Sequence, residues 1–133
     1  MILTLPWPDR RLSPNELERF FRMLLSHPGK ARGAYFAWES RVKQARYEGE
    51  MTARSVFIPG EDIPYTGSLR VTYRLYPPTR RHYDQDGVLS SCKHMIDGIC
   101  KGLLIDDWQF KQTVIEWGEP IKGGKIEMVI EEM

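Results

Sequence analysis

Between Asp84 and Asp107 the chain reads DQDGVLSSCKHMIDGICKGLLIDD, with two carboxylates one residue apart at its start, two adjacent ones at its end and Lys93 between them. Crowded carboxylates repel one another and resist ionising together unless a cation sits among them. Hard oxygen donors with no accompanying Cys or His pattern suit Mg²⁺ or Mn²⁺ better than zinc. A magnesium ion left partly hydrated can orient a phosphodiester and activate a water, while a nearby ammonium offsets charge developing on the phosphate. The chemistry open to these residues is hydrolysis of phosphate esters.

A helix has to position them. Leu89, Cys92, Ile96, Ile99 and Leu103 recur at steps of three and four, which predicts one apolar stripe facing a core. Asp86, Ser90, Lys93 and Asp97 follow the same spacing on the polar side. Gly102 is expected to stop the helix, after which Leu103, Leu104 and Ile105 allow Asp106 and Asp107 to return beside its entrance. A structural alternative stands beside the metal site: Asp84 and Asp86 with Gly87 also read as a turn capping a helix, and Asp106–Asp107 as a solvated corner. The later ligands of a calcium loop are missing from this run, so that reading is set aside.

Around this stretch the 133 residues read as a single domain, 41% hydrophobic and 28% charged. A net charge of +1 means that a nucleic-acid partner would have to be held by local basic patches. No long apolar run, signal-peptide pattern or lipidation motif is present, which leaves no membrane partner and a cytoplasmic location as the expectation. Cys92 and Cys100, eight residues apart on one helix, are about 12 Å apart and read as buried thiols rather than a disulfide. His82 and His94 lack a partner at ligand spacing and read as ordinary residues near the site.

Ile2 to Leu5 is expected to be a short strand, ended by Pro6 and Pro8. Trp7 between those prolines can pack on the core edge or stack on a base. Ser13 as N-cap, Pro14 and Glu16 mark a helix whose apolar face is Leu17, Phe20, Phe21, Leu24 and Leu25, stopped by His27, Pro28 and Gly29. A second helix is expected over about 30–47, with Tyr35, Trp38, Val42 and Ala45 inward. Its other face carries Lys30, Arg32, Arg41, Lys43 and Arg46, opposed only by Glu39, and reads either as a solvated face or as a surface that tracks phosphates. Residues 48–66 read as an irregular connection. Ser68 to Tyr76 alternates as a strand with Arg70, Thr72 and Arg74 on a wet face, Arg80 and Arg81 precede the aspartates, and two more strands end the chain. The expected class is α+β: a small mixed sheet flanked by helices, in the order β-α-α-β-α-β-β.

From Arg80 to Asp107 the chain resembles the RusA family of Holliday junction resolvases, particularly its phage and prophage members. The pattern is a basic pair (Arg80, Arg81), Asp-x-Asp (Asp84, Asp86), a helix lysine (Lys93), Asp-Gly (Asp97, Gly98), Asp-Asp (Asp106, Asp107) and a Gly-Gly turn into the last strand (Gly123, Gly124). Leu5-Pro6-Trp7-Pro8 and Leu12-Ser13-Pro14-Asn15 are similar to the family's opening. The resemblance implies that Asp84, Asp86 and Asp107 bind the metal, that Lys93 takes part in cleavage, and that Asp97 and Asp106 support them. It also implies a homodimer that nicks two strands of a four-way junction symmetrically. Gly87 departs from the family, where asparagine is usual. Two other hypotheses remain: a branched-DNA-binding protein without catalysis, and a structural domain whose acids only cap helices.

Overall fold

Alternating apolar residues build a sheet with one buried face, and small residues let two helices close over it. The computed structural model describes residues 1–133, the side chain of Pro14 apart. In chain order these form β1 (Ile2–Pro6), α1 (Pro14–Ser26), α2 (Pro28–Arg54), β2 (Leu69–Tyr76), α3 (Gln85–Ser91), α4 (Lys93–Leu103), β3 (Phe110–Trp117) and β4 (Lys125–Glu132). Short 3₁₀ turns at Arg10–Leu12 and Asp107–Gln109 lead into α1 and β3. None of the helices is long and apolar enough to cross a membrane.

The sheet order is β1-β4-β2-β3. The first two pairings are antiparallel, and β2 and β3 are parallel because the α3–α4 crossover joins them. This is the mixed α+β class that the pattern predicts. Register stacks Leu3 on Met128 and Tyr73, and Leu5 on Ile126 and Leu75. All six are buried, joined by Val71, Ile130, Cys92, Met95, Ile99 and Leu103 in one core. Each such aliphatic side chain contributes about 1.5–3 kcal/mol on burial, far more than a surface ion pair.

The opposite face of the sheet is not uniformly wet. Thr72 is buried between Val129 and Val114 of the neighbouring strands, while Arg70 and Arg74 stay at the rim and reach Gln112 (2.8 Å) and Glu116 (3.2 Å).

Three helix boundaries differ from expectation, each for a physical reason. The second helix continues to Arg54 instead of ending near Tyr47, so the predicted irregular segment begins seven residues later. Its last turns carry Ala45, Gly49 and Ala53 at steps of four, a stripe of small residues that holds α4 in place of an apolar one. The predicted single helix from Asp86 is broken at Cys92, whose N–H bonds Leu89 at the tighter three-residue spacing (3.0 Å). Just before the break, the Ser91 hydroxyl donates to the Gly87 carbonyl (2.9 Å), a back-bond of the kind that bends helices. Nor does Gly102 stop α4. The helix runs on to Leu103, and Leu104 caps it in the left-handed conformation (φ 57°).

Gly102 and Gly98 serve a different purpose. A Cβ on Gly98 would overlap the Arg46 carbonyl, one on Gly49 would overlap that of Met95, and one on Gly102 would stand 2.6 Å from the Ala53 Cβ. The two helices therefore touch backbone to backbone. The α1 helix meets a different fate: it packs on α2 through Phe20 against Tyr35 (5.4 Å between ring centroids), while Phe21, Leu24 and Leu25, expected on an inward face, are exposed.

The same substitution at two helical glycines is expected to have opposite signs. Gly98→Ala forces backbone apart and should cost roughly 3 kcal/mol or more. Gly33→Ala, with nothing within 4 Å of its Cβ, should stabilise by about 0.5–1 kcal/mol. Urea unfolding of both variants checks this; equal effects would remove the backbone-contact account.

Candidate functional site

Asp84 is the N-cap of α3: it leaves the helix in extended conformation (φ −78°, ψ 118°), and its Oδ2 accepts from the Gly87 N–H at 3.3 Å. A Cβ at residue 87 would lie 3.2 Å from that oxygen, so glycine there leaves the carboxylate uncrowded. Asp86 follows in the first turn and is exposed. Lys93 opens α4 with its Nζ 3.9 Å from Asp97 Oδ2, one turn on along the same helix.

Asp106 and Asp107 are held by a buried glutamine. Gln109 Oε1 accepts from the Asp106 N–H (2.7 Å), and its Nε2 donates to the carbonyls of Tyr65 (2.9 Å) and Gly67 (3.1 Å). One side chain, 4% exposed, thus pins the aspartate corner to the segment before β2. The Cys100 thiol is pushed up to about 12 by burial first, with the negative charges of Asp107, Asp97 and Asp106 adding to it. Cys92, buried too, is likewise pushed up to about 12 by burial. Both cysteines are free thiols, as expected.

Asp84 faces a different neighbourhood. Together with Trp7, Arg10, Asn15, Arg81 and Tyr83 it lines an open groove of about 270 Å³ between the chain after β1 and the start of α3. Trp7 meets Tyr83 edge to face (5.2 Å, 70°), and the Arg81 guanidinium lies 4.7 Å above the same tyrosine ring. The Tyr83 hydroxyl is 2.8 Å from that of Thr79, the main cause that holds its phenol below the ordinary value, with Arg81 adding to it. The Gly-Gly turn supports this wall. Both glycines have positive φ, and a Cβ on Gly124 would stand 2.9 Å from the Trp7 Cβ and 3.0 Å from Pro78 Cδ.

Of the expected residues, Asp84 lines the groove, Lys93 stands at the start of α4 beside Asp97, and Asp106 and Asp107 follow the C-terminal end of the same helix. Among the described residues no three His, Cys, Asp or Glu side chains are gathered where they could hold one metal ion. The donor chemistry nevertheless fits a hard divalent cation: Asp86 and Asp107 are exposed, and neither carboxylate appears in a hydrogen bond or ion pair among the described residues. Arg80 and Arg81 likewise form no ion pair among them. On α2, Lys43 pairs with Glu39 (3.9 Å), while Lys30, Arg32 and Arg46 are exposed and Arg41 is half-buried.

Arg10, Tyr83 and Gln109 were not singled out by the sequence. The interleaving of basic and aromatic residues in Arg80-Arg81-His82-Tyr83 was the available signal for Tyr83. Gln109 had none, because a glutamine buried for three hydrogen bonds looks like any other polar residue.

His94, next to Lys93, is partly buried. Its ring meets Trp38 edge to face (6.0 Å), and its Nδ1 has no partner. Burial lowers its pKa, aided by Arg46 and Lys93 and opposed by Asp97. The fold therefore favours neutral His94, and its contribution is present above the ordinary value of 6.5 and lost as pH falls below it. Between about pH 7.5 and about pH 5.5 the wild type should lose more unfolding free energy than His94→Gln. Parallel pH slopes for the two proteins would rule this out. At the aspartate corner, Gln109→Leu should cost about 2–3 kcal/mol and speed hydrogen exchange at the Asp106 amide.

No protein-family model matches this chain. Over 128 residues it is 34% identical to an uncharacterized protein of Xylella fastidiosa (strain Temecula1 / ATCC 700964), an alignment that spans 96% of this chain and 74% of that relative. With identity of this order along nearly the whole sequence, the chain belongs to the same family as the uncharacterized Xylella fastidiosa protein.

Proposed function

We propose that the chain is a Mg²⁺-dependent, structure-specific endodeoxyribonuclease of RusA type that acts on branched DNA, resolving four-way junctions by paired nicks as a homodimer. One observation carries the reading. Arg80 and Arg81 lie within six residues of Asp84 and Asp86, yet these opposite charges do not pair among the described residues. Elsewhere in the chain acids and bases do pair, as in Asp9–Arg11 (2.6 Å), Glu18–Arg22 (2.9 Å) and Glu50–Arg54 (2.6 Å). Guanidiniums left open suit phosphates, and carboxylates left open suit a hard cation.

In this reading Asp84, Asp86 and Asp107 would hold the ion, which would supply a Lewis acid for a phosphate oxygen and a more acidic water. Arg80 and Arg81 draw the phosphodiester toward the acids, and the basic face of α2 extends the track for the flanking backbone. Lys93 offsets the charge that gathers on the phosphate in the transition state. Its neighbour Asp97, one helical turn away, limits the swing of that long side chain. A two-fold dimer would present two such sites to a pseudo-symmetric junction.

The second reading, a junction-binding protein without catalysis, draws on the cap formed by Asp84, whose Oδ2 is already engaged with Gly87. A labelled four-way junction and a linear duplex, each with Mg²⁺ and with EDTA, separate the two. Paired nicks on the junction alone are expected, lost with EDTA and reduced about 100-fold or more in Asp86→Asn while junction binding persists. Wild-type cleavage by that variant would falsify the ligand assignment, and binding without nicks would select the second reading.

A further inference from the structure

We propose that the groove between the chain after β1 and the start of α3 takes one unpaired nucleotide, its base against the Trp7–Tyr83–Arg81 wall and its phosphate on Arg10. The inference rests on the nucleic-acid reading above and names the feature of a branched substrate that this site would recognise.

The wall has the composition of a stacking surface. Two aromatic rings and a guanidinium plane stand in contact, at 5.2 Å and 4.7 Å, and any base offers a π-face to such a surface. Its placement is fixed rather than loose. Trp7 is partly buried against the core and backed by Gly124, and Tyr83 is tied to Thr79, so little side-chain freedom remains to be lost on binding.

Charge completes the recognition. Arg10 is exposed and, like Arg81, forms no ion pair among the described residues, although Asp9 and Arg11 beside it bind one another at 2.6 Å. Two guanidiniums without a carboxylate partner among the described residues therefore border a groove that also contains Asp84. A phosphate entering between them is attracted by both and brought to the acid at the head of α3. The groove is open to solvent and offers about 270 Å³ beside the aromatic wall for an exposed base. Duplex DNA, whose bases are stacked and paired, would have to give one up at a cost of a few kcal/mol, while a branch point offers one that is already loosened. Preference for branched DNA then arises from the groove itself.

The test uses the full-length protein in EDTA, so that cleavage plays no part. A four-way junction with 2-aminopurine beside the crossover and a duplex of the same sequence, labelled at the same position, are titrated by fluorescence. Quenching of the junction probe is expected, with no change in the duplex probe. Tyr83→Leu should weaken junction binding about 10-fold or more and abolish the quench, while Tyr83→Phe keeps both. Arg10→Gln, altered at an exposed position, should lower the salt dependence of junction binding by about one counterion and serves if Tyr83→Leu fails to fold. Junction binding and nicking without quenching, or equal weakening of junction and duplex by Tyr83→Leu, would overturn the groove proposal and leave the nuclease reading intact. Failure of the wild type to bind either DNA would overturn both.

Discussion

The contact between α2 and α4 is the constraint on which the rest of the molecule depends. Gly49 and Gly98 leave no side chain between the two backbones, and at Gly102 only the Ala53 methyl stands there. Helices normally pack 8–10 Å apart because side chains hold them there, so a seam of small residues sets the spacing and the axial register together. Sliding α4 by one residue would bring a Cβ against a carbonyl. The register matters because Met95, Ile99 and Leu103 of α4 enter the sheet core while Lys93, Asp97 and the Asp106–Asp107 corner occupy the other faces and ends of the same short helix. Packing thereby fixes where the polar groups stand.

A second constraint acts at the groove and comes from backbone conformation. The turn through Gly123 and Gly124 carries two left-handed residues and lies against both Trp7 and Pro78. It ties the end of β1, the exit of β2 and the entrance of β4 into one corner. The loop carrying Arg80, Arg81 and Tyr83 leaves from that corner, so the charges on it inherit the rigidity of three strands. Exposed loop residues ordinarily lose this advantage to conformational entropy.

Much of the fold was legible from residue pattern. Alternation over Ser68–Tyr76 and in the last strand placed β2 and β4, and Ser13 with Pro14 placed the start of α1. What misled were glycines and polar residues with tertiary duties. Gly102 has the look of a helix stop and the segment from residue 48 that of an irregular connection, yet Gly102 and Gly49 are both helical because a second helix occupies the space of their missing side chains. Phe21, Leu24 and Leu25 have the spacing of a buried stripe, but α1 packs chiefly on α2 and leaves them exposed. The acids were legible as chemistry because their types and spacing are local; the groove was not, since Trp7, Arg10 and Tyr83 meet only after β1 has been paired to the far strand.

Electrostatics at the end of α4 gives the proposed chemistry a physical motive. A helix C-terminus carries partial negative charge, which favours lysine or arginine nearby and disfavours carboxylates. Here the residues beyond it are Asp106 and Asp107, and the one basic residue of the last turn, Lys101, turns to Glu50 of α2 at 3.7 Å. Negative charge is thus added where the backbone already supplies it, strongly enough to help raise the Cys100 thiol. Local rules broken without a compensating contact inside the protein concentrate at working sites. A divalent cation brought to this corner would remove the conflict, whereas Lys93, at the opposite end of the helix, already has a carboxylate partner in Asp97 at 3.9 Å.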